Sequence, residues 1–215
     1  MEQKRRTQEE RSTATRDALT AAARRLWGER GFAEVGTPEI AREAGVTRGA
    51  MYHQFADKTA LFLAVLEVVE QRVVDELGAA VLAAGATTPA AALRGALDAW
   101  LTVCVDPEVR QVVLLDGPSV LGWKRFRELT QRYTLGMTEQ LLAAAVEAGQ
   151  LPVQPLRPLA HVLIGALDEG AMVIAEAADP DRARGEVREV LLRLLDGLLV
   201  PAAPDRRTGG ASSGP

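Results

Sequence analysis

The sequence has few of the residues that form disulfides, metal sites or catalytic centres. Its 215 residues include one cysteine, Cys104, and two histidines, and only 4% of them are aromatic. A single cysteine cannot form an intramolecular disulfide, and so few Cys and His residues exclude a structural zinc cluster. We therefore expect no disulfide, no metal site and no cofactor.

Long hydrophobic runs and export signals are also missing. Unbroken apolar stretches are short, such as LFLAVL at 61–66, whereas a membrane-spanning helix needs about 20 apolar residues. The N-terminus has no basic start followed by an apolar segment and a small-residue cleavage site. These absences predict a soluble, cytoplasmic protein without a membrane partner.

The sequence contains no recognisable catalytic motif. Nucleophile elbows and glycine-rich phosphate loops follow β-strands, and the sequence predicts no strands. We therefore expect no catalytic residues and no enzymatic activity. The one enzymatic alternative is an all-α hydrolase or isomerase built on His161 and Asp168, which lie seven residues apart on one helical face.

Charge is unevenly divided along the chain. The net charge is −4, but residues 1–58 hold 11 Lys and Arg against 9 Asp and Glu, a balance of +2. Residues 59–215 hold 14 against 20, a balance of −6. The overall negative charge argues against a sequence-indifferent DNA-packaging protein. The positive N-terminal part fits either a local nucleic-acid surface or ordinary solvated helices.

Composition and periodicity predict an all-α protein of about nine helices. Ala, Leu, Arg and Glu dominate, and no β-branched alternation is sustained. Capping residues followed by proline mark helix starts at Thr37-Pro38, Thr88-Pro89, Asp106-Pro107 and Asp179-Pro180. The stretch DGPS at 116–119 is expected to close the sixth helix and open the seventh. We predict a flexible basic arm at 1–11, a three-helix head at 12–57, a larger helical body at 58–200 and a disordered tail at 201–215.

The middle of the head has the pattern of a helix-turn-helix. One short helix runs from Thr37 to a turn at Gly45, and a second runs from Thr47 to about Phe55. Two helices joined by a short glycine-containing turn form the motif whose second helix enters the DNA major groove. Met51 and Phe55, four residues apart, are expected to fasten that second helix to the core.

The other side of this second helix is predicted to face outward. With Met51 inward, the helical period places Gly49, Ala50, Tyr52 and His53 on the outer face, with Arg48 in the exposed first turn. An arginine can donate two hydrogen bonds to guanine, and an alanine can contact the thymine methyl group. The alternative is an ordinary helical corner with Tyr52 half-buried and His53 solvated.

A longer stretch, from Thr15 to Leu66, contains AAxxLxxxxGF, TPxIAxxAGV and GAMYxxFxDKxxL in this order. This combination closely resembles the DNA-binding head of the TetR/AcrR family of bacterial transcriptional regulators. The resemblance implies a helix-turn-helix DNA-binding domain at 12–57 and an effector-binding and dimerisation domain at 58–200. It places eight residues at positions that touch DNA: Thr37, Thr47, Arg48, Gly49, Ala50, Tyr52, His53 and Lys58.

The same resemblance implies a sequence-specific, ligand-responsive repressor. Its partners would be double-stranded operator DNA, a second copy of the chain and a small-molecule effector of unidentified structure. Binding of the effector to the C-terminal domain would release the dimer from a palindromic operator. At the N-terminus, Lys4, Arg5, Arg6 and Arg11 form either an arm that reaches the adjacent minor groove or a solvated charged tail.

The body contains candidate sites for the effector and the partner subunit. Polar residues that interrupt apolar helical stripes need a partner when they are buried, so we predict an effector pocket, or otherwise plain core, from these stripes. The candidate pocket residues are Trp100, Cys104, Trp123, Phe126, Arg127, Thr130, Met137 and Met172.

The last two helices are candidates for the dimer interface. The segment 158–177 is apolar nearly all round, and such a helix is expected to be buried on both faces. We expect a four-helix contact across a two-fold axis. Its candidate residues are His161, Asp168, Val190, Leu191, Leu194, Leu195 and Leu198; the first two could instead be a buried pair or line the pocket.

Overall fold

The computed structural model describes residues 8–200, and this range contains helices and no β-strand. The elements are α1 Gln8–Arg30, α2 Thr37–Glu43, α3 Arg48–Gln54, α4 Lys58–Ala83, α5 Pro89–Val103, a π-helical segment Val109–Asp116, α6 Gly117–Leu121, α7 Trp123–Glu147, α8 Leu156–Glu176 and α9 Pro180–Leu198. The predicted all-α class of about nine helices is confirmed. The predicted tail and residues 1–7 of the predicted arm lie outside the described residues.

Capping side chains start several helices where the sequence predicts them. The Thr47 hydroxyl accepts a hydrogen bond from the Ala50 amide at 3.1 Å, and Asp57 accepts one from the Ala60 amide at 2.7 Å. These bonds satisfy amide groups that have no partner inside the helix. The capping residues Thr88 and Asp179 do the same for α5 and α9.

Two helix starts differ from the prediction. Helix α1 begins at Gln8 rather than near residues 12–15, so residues 8–11 belong to a helix and not to a flexible arm. At α2, Gly36 occupies the cap position and Thr37 is the first helical residue, with Pro38 behind it.

The head is built from α1, α2, α3 and the first part of α4. Its centre is an aromatic cluster in which the rings of Trp27, Phe32 and Phe62 lie 5.2–5.6 Å apart. The Trp27 indole also donates a hydrogen bond to the Val35 carbonyl at 3.3 Å. Because Phe62 belongs to α4, the core of the head closes only around the start of that long helix.

The body packs α5, α7, α8 and α9 against the rest of α4. The pairs α4 with α5, α8 with α9 and α7 with α8 make its main helix contacts. The buried stripe of α4 continues from Leu66 through Val69, Val73 and Leu77. One helix therefore serves the cores of both the head and the body.

The region around DGPS folds differently from the prediction. The π-helical segment continues directly into α6, and the break comes at Gly122, whose φ of 74° is a left-handed value that glycine adopts freely. Helix α7 therefore begins at Trp123 and not within DGPS. Gly117 lies against the Phe126 ring, where an added Cβ would be 2.5 Å from a ring carbon, so the close contact requires glycine.

Polar contacts join the head to the π-helical segment. Arg24 of α1 makes a bidentate ion pair with Glu108, at 2.6 and 2.8 Å. Arg72 of α4 contacts the same carboxylate at 3.0 Å. The Phe32 amide donates to the Asp116 carboxylate at 2.7 Å. Both ends of the π-helical segment are thus tied to the head.

The shared helix α4 gives a test of where stability resides. Leu66 is fully buried, whereas Leu82 on the same helix is 82% exposed. Leu66→Ala should lower the free energy of unfolding by about 2–5 kcal/mol, because it leaves a cavity in the core. Leu82→Ala should change it by less than about 0.5 kcal/mol. Urea unfolding at one fixed protein concentration measures both, and equal unfolding midpoints would contradict this packing.

Candidate functional site

Helix α3 presents one face to the core of the head and the other to solvent. Met51 and Phe55 are buried at 0% and 3% exposure. Arg48, Gly49 and His53 are exposed, as is the preceding Thr47, and Ala50 is partly exposed. The helix therefore has the orientation that its sequence predicts. Contact of this face with DNA stays a prediction.

Tyr52 is held in place by its neighbours on both helices of the motif. Its hydroxyl lies 3.2 Å from the Thr37 hydroxyl, and its ring lies 5.6 Å from the Arg48 guanidinium carbon. The hydrogen bond with Thr37, and then the nearby Arg48, lower the pKa of Tyr52. Thr37 is only 8% exposed, and its hydroxyl group orients Tyr52. Contact of Thr37 with DNA stays a prediction.

Lys58 is partly buried and contacts the connection between α1 and α2. Its ammonium group donates a hydrogen bond to the Phe32 carbonyl and lies 4.0 Å from the centre of the Phe32 ring. Partial burial lowers the pKa of Lys58. The side chain thus fastens this connection in the described structure, and its contact with DNA stays a prediction.

The structure gives Gln54 and the start of α1 a shared role that the sequence did not reveal. The Gln54 amide group donates to the Ser12 hydroxyl at 2.9 Å, and Arg16 donates to the Gln54 carbonyl at 3.1 Å. Arg16 also lies 4.2 Å from the centre of the Phe55 ring. These contacts hold the end of α3 against α1. Of the basic residues expected in an arm, Arg11 lies exposed on α1, and Lys4, Arg5 and Arg6 lie outside the described residues.

A cavity of about 380 Å³ lies in the body between α4, α5, α7, α8 and α9, and Leu194 of α9 is among its lining residues. Much of its wall is apolar, with Val113, Leu114 and Pro118 contributed by the π-helical segment and α6. The structure brings seven of the eight predicted pocket residues to this wall: Trp100, Trp123, Phe126, Arg127, Thr130, Met137 and Met172.

Cys104 is the predicted pocket residue that the structure places elsewhere. It caps the end of α5, it is 2% exposed, and its thiol contacts the Leu101 carbonyl. Burial raises the pKa of Cys104 to about 11. The residue is part of the core, and its thiol has little nucleophilic character at neutral pH.

Three acidic side chains, Glu70, Asp168 and the exposed Glu169, and a histidine also line the cavity. Glu70 of α4 is 3% exposed, and its Oε1 atom has no hydrogen-bond partner. Burial, and then the charge of Asp168, raise the pKa of Glu70 to about 8. Burial also raises the pKa of Asp168 to about 6, although Arg127 acts in the opposite direction. The Nδ1 atom of His161 is buried without a partner.

Sequence analysis missed Glu70 as a cavity residue. Its position was a detectable signal, because Glu70 falls on the apolar stripe of α4, four residues after Leu66 and seven before Leu77. A carboxyl group on a buried stripe needs a partner or a function. His161 and Asp168 were assigned first to a dimer interface, and the structure instead places both on the cavity wall.

The last two helices carry apolar side chains that this subunit leaves uncovered. Val190 and Leu194 of α9 are 56% and 55% exposed, and Val162 of α8 is 67% exposed. By length and composition alone, helix α8 is apolar enough to cross a membrane, and 28% of its most apolar window is buried within this subunit. The helix packs against α7 and α9 as part of the body, and this subunit leaves its other face uncovered.

Three other residues predicted for the interface are covered to different degrees. Leu191 and Leu195 are 7% and 4% exposed within one subunit and line the cavity; their place in a dimer interface stays a prediction. Leu198 is partly exposed. Among residues 8–200, no group of three or more His, Cys, Asp or Glu side chains could hold a metal ion.

Comparison with known proteins identifies the family. Residues 19–65 match the model of "Bacterial regulatory proteins, tetR family", and residues 90–198 match "Tetracyclin repressor-like, C-terminal domain". The first match contains α2 and α3, and the second runs from α5 to α9.

Individual relatives agree with these matches. The chain is 29% identical to the HTH-type transcriptional regulator AcrR of Shigella flexneri, over 74% of this chain and 76% of that protein. A TetR-family transcriptional regulator from Pectobacterium atrosepticum has a crystal structure that is 31% identical, with a TM-score of 0.80, over 91% of this chain and 98% of that one. The crystal structure of RolR with its ligand resorcinol shares the fold, at 22% identity and a TM-score of 0.69 over 87% of this chain and 90% of that one.

These comparisons give no support to an enzyme built on His161 and Asp168. They agree with the arrangement of the head, in which a short helix with an exposed polar face follows a glycine turn. The chain belongs to the TetR family of bacterial regulatory proteins and is a DNA-binding transcriptional regulator.

Proposed function

We propose that the protein is a homodimeric repressor that leaves a palindromic operator when a small molecule fills the cavity of the body. The observation that carries this proposal is that the cavity and the head share their supporting elements. Helix α4 and the π-helical segment both line the cavity and both contact the head. A change at the cavity therefore has a direct physical route to α3.

DNA reading is assigned to the exposed face of α3. Arg48 offers two donors for the O6 and N7 atoms of guanine, and Ala50 offers a methyl group for thymine. Tyr52 and His53 lie beside them and suit phosphate oxygens, which set the register without reading sequence. Thr47 and Gly49 let the helix approach the groove closely. Thr37 and Lys58 act in this proposal as supports of the reading face.

Dimerisation is assigned to the open faces of α8 and α9. Exposed apolar side chains on two adjacent helices, such as Val162 and Leu194, match the four-helix contact of a two-fold dimer. Two heads related by that axis would enter successive major grooves, with centres about 34–36 Å apart for half-sites one turn apart.

Release from DNA follows from a change in head spacing. Val113 and Leu114 line the cavity, and the same segment is tied to the head by Glu108 and Asp116. A ligand that binds better when this segment or α4 is displaced would shift the population toward that conformation. That resorcinol is bound by RolR, a protein of the same fold, supports the cavity as the effector site.

Arg48 provides the test of sequence reading. Arg48→Ala should weaken operator binding by about 1–3 kcal/mol and relax the base preference at one operator position. Arg42→Ala, at an exposed arginine of the neighbouring α2, is the matched control and should leave the base preference unchanged. Fluorescence anisotropy with palindromes from the DNA flanking the coding region, each with single base changes, measures both. An unaltered base preference in Arg48→Ala would remove this residue as a reader.

Leu194 provides the test of the dimer face. Leu194→Glu should yield monomers with native helix content and much weaker operator binding, because it places a charge in an apolar contact. Leu82→Glu, at a more exposed leucine of α4, should remain dimeric. Analytical ultracentrifugation distinguishes the two states. If Leu194→Glu sediments as a dimer, the interface lies elsewhere.

A further inference from the structure

Within residues 8–200, the cavity contains a buried acidic group with one oxygen that no hydrogen bond satisfies. Glu70 is 3% exposed, lines the cavity and has one carboxyl oxygen without a hydrogen-bond partner. A buried polar group of this kind is destabilising unless it finds a partner. The position would accept an apolar residue, since Val69 and Val73 flank it on the same buried stripe. The carboxyl group is therefore suited to a ligand that the cavity receives.

A second carboxyl group faces the same space from another helix. Asp168 of α8 lines the cavity, and its charge raises the pKa of Glu70, so the two acids interact electrostatically. Two neighbouring carboxylates repel each other in an apolar site, and a positive charge between them relieves the repulsion.

The other charged and titratable groups around the cavity do not neutralise Glu70 and Asp168. The cavity is also lined by His161 and Glu169 of α8 and by Arg127 of α7. Burial, and then the charges of Glu67 and Glu70, raise the pKa of Tyr133 of α7. Arg127 is an exposed residue, and its effect on Asp168 does not bring the pKa of that group down to its usual value. Helices α5 and α9 and the π-helical segment contribute only apolar residues to the wall.

We infer that the natural effector is a small organic cation, an apolar molecule whose protonated nitrogen binds Glu70 and Asp168. This inference rests on the proposed function, in which the cavity is the effector site. The indole and phenyl rings of Trp100, Trp123 and Phe126 in the wall provide apolar and cation–π contacts for the rest of the molecule. The volume of about 380 Å³ is that of a site for a small compound, at the lower end of the usual range of about 300–1,000 Å³.

Binding of such a cation should release a proton. With a pKa of about 8, Glu70 is largely protonated at pH 7. An ammonium group beside it favours the carboxylate form. The balanced step is therefore the neutral Glu70 acid plus the ammonium ion giving the carboxylate–ammonium pair plus one proton in solution. Affinity for the cation should rise with pH up to about pH 8, where the free Glu70 becomes ionised.

Three probes of matched shape test the charge preference: 4-phenylbutylamine, 4-phenylbutan-1-ol and 4-phenylbutanoate. The amine is protonated below about pH 10, as lysine is. Isothermal titration calorimetry should give an affinity for the amine about tenfold or more above that of the alcohol, since hydrogen bonds to charged partners are stronger. Titrations in two buffers of different ionisation enthalpy should show close to one proton released per amine at pH 7.

Two variants locate the effect. Glu70→Gln keeps the size of the side chain and should lose the proton release and most of the preference for the amine, while the alcohol still binds as it does to the wild type. Glu176→Gln changes an exposed carboxylate of the same helix as Asp168, at a position that does not line the cavity, and should behave like the wild type. Retained binding of the alcohol shows that Glu70→Gln is folded.

The outcomes separate this inference from the proposed function. Equal or tighter binding of the alcohol or the acid, or no binding of any probe, overturns the inference about the cation. Amine binding that leaves the complex with operator DNA intact supports the cation site and contradicts control of DNA binding by the cavity. If the alcohol or the acid binds better than the amine and releases the operator, the repressor proposal stands and the inferred effector class is wrong.

Discussion

The architecture depends on helix α4, which packs in the hydrophobic core of the head and in that of the body. The first part of α4 closes the aromatic cluster of the head through Phe62, and its later part carries Leu77 into the wall of the cavity. No flexible linker separates these parts, because the helix is continuous from Lys58 to Ala83. A packed core has few alternative arrangements, so a displacement of α4 at the cavity moves the head as a body. This constraint makes a ligand site in the body relevant to DNA binding.

The π-helical segment is the second connection between the cavity and the head. Glu108 and Asp116, at its two ends, bind groups of the head, while Val113 in its middle lines the cavity. π-helical turns are uncommon and occur often at functional sites. The buried carboxyl group of Glu70 belongs to α4, the first of these connections, and lines the same cavity. A buried carboxyl oxygen without a hydrogen-bond partner lowers the stability of the protein. Such unpaired polar groups occur frequently at binding sites, where a ligand can supply the missing partner.

Local signals in the sequence predicted the head well. Cap residues, the turn at Gly45 and the four-residue spacing of Met51 and Phe55 depend on neighbours along the chain, so the orientation of α3 followed from them. The contacts of Lys58 with Phe32 could not be predicted, because they join residues 26 positions apart. In the body, apolar periodicity identified seven residues of the cavity wall but not which face each polar residue takes. For His161 and Asp168 the sequence left both a dimer interface and the pocket open, and the structure places both residues on the cavity wall.

In the proposed mechanism, filling the cavity changes the spacing of the two heads. It is tested most directly by electron–electron double resonance between spin labels on the exposed residue 56 of each subunit, introduced as Ala56→Cys in a Cys104→Ala background. The account predicts a narrow distance distribution for the dimer on its operator. It also predicts a shifted mean distance when a cavity ligand releases the DNA. Release of the DNA with an unchanged distance distribution would contradict the account.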